Sequence, residues 1–436
     1  MDNFFDKRVV VDADNVAICR DESLCQKCGK CKLICNRDMA VDGYYDYNKT
    51  KRSACIFCGK CVATCPFGAL KIFPETTQVE RALNLGKKVV FFVSPAVRVA
   101  VANAFGGAIG ENVEGKIVAG LHKIGASYVF DTTFGADLTT MEEAAELIER
   151  LKSKVPLFTS CCSSWVNFVE TFIPSNIKNL SSCASPIAMQ SATIKTYFAN
   201  KEKINPRDIF SVAVAPCVAK KAEIRREEMN KAAYQLGCVE MQDTDAVLTT
   251  QELVELFKRK QINPTKLKPE PFDKMCGSKT GVTYGKSGGV AKAICSAAYF
   301  MLNGKNPPKT LMSGIKQFGK IKLGIVDLVK YKVKVAIICG TAVAREYLIE
   351  NANNLPDFVE VMACPNGCLG GVGQTTQDKD GAIDIGLSKA AFDHKYNFAY
   401  SNPEIKDIYK NFYKKPLSGK AKEILHTTYI DKSENI

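Results

Sequence analysis

Eight cysteines within the first 65 residues repeat one spacing twice, and no other feature of the chain restricts its folding as strongly. Cys25, Cys28, Cys31 and Cys35 form one copy, and Cys55, Cys58, Cys61 and Cys65 form the other; both read C-x2-C-x2-C-x3-C. Gaps of two residues wrap the backbone into a tight loop that presents three thiolates to one small inorganic core and turns N–H groups toward its sulfurs. The fourth cysteine of such a run begins a short helix and ligates the other core. The spacing therefore predicts two [4Fe-4S] cubanes, one on Cys25, Cys28, Cys31 and Cys65, the other on Cys55, Cys58, Cys61 and Cys35. A pair of zinc knuckles is the competing reading, disfavoured by the duplication of all eight positions and by a total of only three histidines.

The spacing resembles that of bacterial two-cluster ferredoxins. The second run ends in the expected Cys65-Pro66, whereas the first ends in Cys35-Asn36. Composition agrees with bound iron rather than disulfides. Nineteen cysteines in 436 residues fall well short of a disulfide scaffold, and a chain of this length buries a core without staples. The N-terminus MDNFFDKRVV has early acidic residues and no apolar run, so no export signal is expected. The most apolar stretch, 89–110, is broken by Pro95 and Arg98, so no membrane span is expected either. These features predict a cytoplasmic protein, with an anaerobic organelle left open, in a reducing compartment where disulfides are rare. With 46% hydrophobic and 24% charged residues, the chain is neither disordered nor fibrous.

From Lys87 the pattern changes to short β-branched or aromatic runs, each followed by a turn and a helical period. Runs 89–93, 128–130, 156–158, 209–214, 333–338 and 358–362 read as strands, with helices starting near Leu138 and before Trp165. The expected fold class is α/β: a large domain of parallel βα units over 87–436, preceded by a small α+β ferredoxin-like domain over 1–86. In such sheets ligands gather at the carboxyl ends of the strands. Five more cysteines fall at those ends. Cys161 and Cys162 lie in FTSCCSSW, Cys217 in APCVAKKAE, and Cys364 and Cys368 in EVMACPNGCLGG. Each sits in a Gly/Pro/Ser loop where packing alone would not ask for a thiol. Cys19, Cys183, Cys238, Cys276, Cys295 and Cys339 read instead as ordinary buried small residues.

These three segments, in this order, resemble the signature segments of the [FeFe]-hydrogenases. The likeness extends over FGADLTTMEEAAEL, YGKSGGV and the tail SNPEIKDIYKNFYKKPLSGKAKEILHTTY, and so over nearly the whole chain. It implies an oxidoreductase that reversibly reduces protons to H2 with electrons from ferredoxin. Its H-cluster would be a [4Fe-4S] cubane joined to a two-iron unit carrying CO, CN and a bridging dithiolate. By motif the cubane ligands would be Cys162, Cys217, Cys364 and Cys368, with Cys368 bridging to the two-iron unit. Lys220 would donate to a cyanide, Met362 would pack beside the bridging ligand, and backbone N–H groups near Ser94, Pro95, Gly288 and Gly289 would meet the diatomic ligands. Cys161 would be the last proton relay group, with Glu143, Ser181 and Glu146 behind it. Glu143 and Glu146, three apart, share a helix face.

Four positions depart from the usual family pattern: Ser163 for Pro, Ala215 for Met, Asn366 for Gly and Ala96 for Ser. They bear on tuning more than on ligation. The alternative reading is a hydrogenase-like iron–sulfur cluster assembly protein without hydrogen chemistry, which usually lacks the eight-cysteine front end, the Cys161-Cys162 pair and the acidic relay. A gas-sensing member is a third reading, unsupported by any appended sensory segment. Expected partners are a ferredoxin and the hydrogenase maturation proteins, the chain itself being a monomer.

The formal charge of +13 comes from 59 Lys and Arg against 46 Asp and Glu. Its basic residues are scattered without aromatic interleaving, so nucleic acid is a weak reading. Three cubanes at −2 each would lower the charge to roughly +7. Lys27, Lys30, Lys32, Arg37, Lys49, Lys51, Arg52 and Lys60 cluster around the front cysteines, as a collar that would steer an acidic electron carrier.

Overall fold

In the computed structural model, residues 7–377 and 380–435 are described. The first six residues, part of the segment on which the reading of the N-terminus rested, lie outside them. A short front unit pairs β1 (Ile18–Arg20) with β2 (Leu70–Ile72) antiparallel, and the two cysteine runs lie between these strands. Its helices Lys30–Arg37 and Lys60–Thr64 start at equivalent points of the two runs, after Gly29 (φ 81°) and Gly59 (φ 73°) and just before the third cysteine rather than at the fourth as expected. The internal repeat is therefore a repeat of backbone conformation as well as of spacing.

The rest of the chain builds two sheets, both containing the expected parallel strands. One is all parallel, in the order β4 (Tyr128–Asp131), β3 (Lys88–Val93), β6 (Ile209–Ala215), β7 (Ala246–Thr249). The other runs β5 (Leu157–Phe158), β11 (Phe358–Met362), β10 (Lys332–Cys339), β9 (Ile321–Asp327), β8 (Lys316–Phe318). Its first three strands are parallel, and β8 and β9 are antiparallel. Strands β7, β8 and β9 were not anticipated from the sequence: β7 is short, and the β8–β9 hairpin lies at an edge with Phe318 and Ile325 exposed.

Alternation along the central strands explains why both sheets are covered on both faces. Val90, Phe92 and Ala213 pack into one core with Phe130, Phe134 and Phe198, while Val89, Phe91, Val93, Val212 and Val214 pack into another with Ile117, Leu121 and Phe257. In the second sheet Val335, Ile337 and Phe358 face one core, and Ala336, Ile338, Val359 and Val361 face a second that holds Trp165 and Phe168. The front unit is tied into this last core through Met39, Val41 and Ile56, and the Thr341 hydroxyl donates to the Met39 carbonyl at 2.7 Å. The longest helix, Thr133–Ser153, begins five residues before the expected start at Leu138 and carries most of the acidic candidates.

Candidate active site

The carboxyl ends of β3, β4, β5, β6 and β11 converge on one internal chamber of about 100 Å³. Because the two sheets meet there, residues remote in sequence share a wall. Cys161 and Cys162 arrive from β5, Cys217 from β6, and Cys364 and Cys368 from the loop after β11. Ser94 and Pro95 follow β3 onto the same wall, and Lys220 and Met362 also line it. Burial pushes the Cys217 thiol up to about 11, and it pushes Cys364 and Cys368 well above the usual thiol range, with neighbouring thiols adding to the effect. A chamber of this kind does not hold several thiolates by itself; a multiply charged metal core would stabilise them there.

Close backbone approach shapes the loop after β11. Gly367 has φ 72°, and a Cβ on it would lie 2.9 Å from Met362 Sδ and 3.0 Å from the Gly285 carbonyl, so only glycine fits. Asn366 stands at φ 59°, the left-handed conformation that asparagine adopts more readily than most side chains, which explains how it replaces a glycine. Ala96 and Ala215 both line the chamber with small side chains.

Gly288 and Gly289 are a correction to the sequence reading. They do not line the chamber; the Gly288 N–H donates to Glu360 Oε1 at 2.6 Å and the Gly289 N–H to the Lys286 carbonyl at 3.0 Å. Both serve the start of the helix Gly289–Asn303, and Gly285 from the same stretch takes the place on the wall. The Ser94 N–H is likewise committed, to the Val214 carbonyl at 2.8 Å, and continues the sheet.

Lys220 is buried and donates to Glu223 at 2.6 Å and to the Cys161 carbonyl at 3.2 Å. Burial opposes its charge, but the Glu223 carboxylate and neighbouring thiols outweigh that and raise its pKa. Ser185 donates to the same Glu223 oxygen at 3.0 Å. Glu223 was not singled out from the sequence, although its i,i+3 spacing from Lys220 in APCVAKKAE was the available signal.

Three glutamates on the helix Thr133–Ser153 have distinct environments. Glu142 clamps the tail: it accepts from Tyr409 Oη at 2.5 Å and the Leu417 N–H at 2.7 Å, with His426 Nε2 at 3.0 Å. Glu146 accepts from Ser181 Oγ at 2.8 Å, from the Ser182 N–H at 3.1 Å and from Arg150 at 2.8 Å. Glu143 is fully buried, and neither of its oxygens has a hydrogen-bond partner among the described residues. Burial, with the Glu146 charge behind it, raises its pKa well above the usual carboxylate range, which favours the protonated form. Burial above all raises the Cys161 thiol in the same way. Arg150, missed from the sequence, binds Glu146 together with the Pro156, Lys178 and Leu180 carbonyls; the i,i+4 spacing was its signal.

The front cysteines sort into two small cavities. Cys35, Cys55, Cys58 and Cys61 line one of about 30 Å³, and Cys25, Cys28, Cys31 and Cys65 line the other, of about 20 Å³. The last cysteine of each run thus joins the first three of the other. Lys27 (φ 50°) and Phe57 (φ 59°) occupy equivalent positions in left-handed conformations that cost of order 1 kcal/mol or more each. Such paired strain fits loops wrapped around a cluster, and the Phe57 N–H already points at Cys55 Sγ, 3.3 Å away. Cys58 lines both its own cavity and the central chamber, and its charge is felt by the Cys364 thiol. Cys28 is exposed at the far end. The basic collar is thinner than its sequence suggests, since Arg52 pairs with Asp14 and Arg37 with Asp38, each at 2.5 Å. Lys27 and Lys30 line the outer cavity and Lys60 the inner one.

Residues 87–372 match the iron only hydrogenase large subunit, C-terminal domain. The chain belongs to the iron-only hydrogenase family. Residues 386–432 match the iron hydrogenase small subunit and residues 50–71 a 4Fe-4S binding domain. The chain is 33% identical over 449 residues to the NADP-reducing hydrogenase subunit HndD of Solidesulfovibrio fructosivorans, covering 95% of this chain and 75% of the relative. It is 31% identical over 455 residues to iron hydrogenase 1 of Clostridium pasteurianum, covering 97% and 78%. A solved variant of the [FeFe]-hydrogenase HydA1 from Chlamydomonas reinhardtii superposes with a TM-score of 0.71 at 30% identity, over 81% of this chain and 98% of that one. Relatives of another kind also align: the cytosolic Fe-S cluster assembly factor narfl of Xenopus tropicalis is 27% identical over 372 residues, 79% of this chain and 74% of its own length. No helix among the described residues is long and apolar enough to cross a membrane. This iron-only hydrogenase family member therefore carries iron–sulfur chemistry, and its chamber lies in the segment shared with hydrogenase large subunits.

Proposed function

We propose that this protein is a hydrogenase that catalyses 2H⁺ + 2e⁻ ⇌ H2, with electrons supplied by an acidic ferredoxin-type carrier. The observation that carries this reading is Glu143, a fully buried carboxyl group that makes no short hydrogen bond, with Ser181 its nearest polar partner and Cys161 and Glu146 close by. An orphaned buried carboxyl is costly to keep, and a proton relay gives it a purpose that cluster assembly does not.

Cys162, Cys217, Cys364 and Cys368 would hold the inner cubane, with Cys368 also reaching the two-iron unit. When bound, the H-cluster supplies the metal site at which protons and electrons combine. Lys220, fixed by Glu223, offers a cationic donor to an anionic ligand on the chamber wall, and Met362 and Pro95 exclude water from it. Cys161 would deliver a proton from its thiol, and Glu143, protonated in its dry pocket, would replace it. Ser181 and Glu146 would then pass a proton inward from the Arg150 side, where Glu146 is 7% exposed. In the front unit, 1–86, the cubane on Cys25, Cys28, Cys31 and Cys65 would receive electrons beside Lys27 and Lys30. The cubane on Cys55, Cys58, Cys61 and Cys35 would pass them on past Cys58 to the catalytic unit, 87–436. Hydrogenase maturation proteins would install the two-iron unit in a monomer.

The test is expression with that maturation machinery under anaerobic conditions. CO and CN stretching bands with hydrogen evolution are expected, and the absence of both from a matured sample sinks the reading. The similarity to an assembly factor favours a second reading, in which the chain handles clusters without hydrogen chemistry. Iron content separates the two, at roughly 14 atoms per chain for three cubanes and a two-iron unit against roughly 8 for two cubanes.

A further inference from the structure

Ser163 directly follows Cys162 and is the first residue of the helix Ser163–Phe172. It is only 3% exposed, and its hydroxyl has no hydrogen-bond partner among the described residues. A buried hydroxyl left without an acceptor costs about 1–3 kcal/mol, so its place in the fold calls for an explanation. Two serines beside it do have acceptors: Ser160 donates to the Cys183 carbonyl at 2.7 Å, and Ser185 to Glu223 at 3.0 Å. The Ser163 carbonyl is occupied as well, by the Asn167 side-chain amide at 2.9 Å. The hydroxyl is uncommitted.

Two spaces adjoin it. On one side Ser163 lines the chamber together with Cys162 and Cys217. On the other it lines a cavity of about 10 Å³ with Ser160, Ser185 and Glu223, at the lower limit for a single water. No side chain caps the helix, and its hydrogen bonding begins at the Val166 N–H, so its positive end also faces the Cys162 side of the chamber.

We propose that the Ser163 hydroxyl donates a hydrogen bond to a sulfur of the cubane held by Cys162, and that this bond raises the reduction potential of that cubane. The inference rests on the assignment of a cubane to Cys162, Cys217, Cys364 and Cys368. The physical cause is charge. One-electron reduction takes the thiolate-ligated cubane from −2 to −3, and a donor aimed at its sulfur stabilises the more negative state more strongly. No proton moves and no bond between heavy atoms changes. The serine would act as a positioning and tuning group in a dry site, where a single donor counts for more than in water.

The experiment uses the full-length chain, reconstituted anaerobically with ferrous iron and sulfide and titrated potentiometrically with EPR detection. Three cubane midpoints are expected, and the two front cubanes serve as internal references. Ser163→Ala should move one midpoint to lower potential and leave two in place, whereas Ser163→Thr, which keeps the hydroxyl, should return it toward the parent value. A solvent-exchangeable proton coupling to the inner cubane should disappear in Ser163→Ala and persist in Ser163→Thr. Three cubanes with three unmoved midpoints would overturn the proposal and place the hydroxyl on a water in the small cavity. Only two cubanes in the parent protein would remove the inner site itself, and with it both this inference and the reading it rests on.

Discussion

The front unit and the central chamber both gather cysteines, but by opposite routes. In the front unit eight cysteines come from two short loops, the thiols range from exposed Cys28 to buried Cys61, and the strain at Lys27 and Phe57 is local. In the chamber five cysteines come from three strand ends that together span more than 200 residues, and burial raises the pKa of those thiols for which a shift is resolved. Electron transfer needs short distances and a partner's access, so a loop near the surface suffices. Proton chemistry at a metal needs water excluded and protons delivered one at a time, which takes a rigid cavity whose walls belong to separate core elements.

That contrast is open to direct attack. The largest effect is expected from Cys364→Ala. It should abolish hydrogen evolution with every electron donor and leave the two front cubanes, visible as a fall in iron content to roughly 8 per chain. Cys25→Ala should do the reverse. It should remove one outer cubane and cut ferredoxin-driven turnover at least ~10-fold, while a small reducing dye still drives the chamber. If both variants lose activity equally with the dye, the division of labour is wrong.

Next in size is Cys161→Ala, which sharpens the proton side of the comparison. The cluster spectrum should survive while turnover falls by about 10²–10⁴-fold, the usual contribution of a positioned proton-transfer group. Full activity in this variant rejects the relay.

The smallest effect should come from His394. It follows the helix Ala382–Asp393, which packs through Ile383 and Leu387 against Ala96 and Leu369 beside the chamber. His394 Nε2 lies 3.0 Å from Arg98 Nη1 and 3.6 Å from Glu114. Burial opposes protonation of the ring, but the Glu114 and Asp131 carboxylates outweigh it and raise the pKa above the ordinary value of 6.5. The stabilisation is therefore complete below about 6.5 and is lost as pH rises through the raised value. Thermal denaturation across that window should show the parent losing stability with pH and His394→Gln losing less. Equal slopes would show that the ring makes no such contribution.

The two regions also differ in how far they could be read without coordinates. The front unit was legible because its ligand groups are local: spacing alone assigned each cysteine to its set, and the structure lines the two cavities with those same sets. In the chamber, a resemblance between segments picked out the cysteines and Lys220 that the structure brings to one wall. Gly288 and Gly289 misled because a glycine pair signals a close approach without saying to what; here it is the start of a helix, held by Glu360. Glu223 and Arg150 went unnoticed because a charged residue at helical spacing usually faces solvent, and only packing against another segment buries it.

The sequence by itself determined which front thiols fall into which local grouping, because a two-residue gap fixes the reach of a thiolate whatever surrounds it. It also determined the βα alternation, because hydrophobic runs and turn residues are local signals. Only the tertiary structure decided that there are two sheets, that their carboxyl ends face one chamber, and that Glu142, Glu143 and Glu146 have three separate surroundings on one helix. Those outcomes depend on which core each face is buried against, and burial is set by contacts between segments hundreds of residues apart.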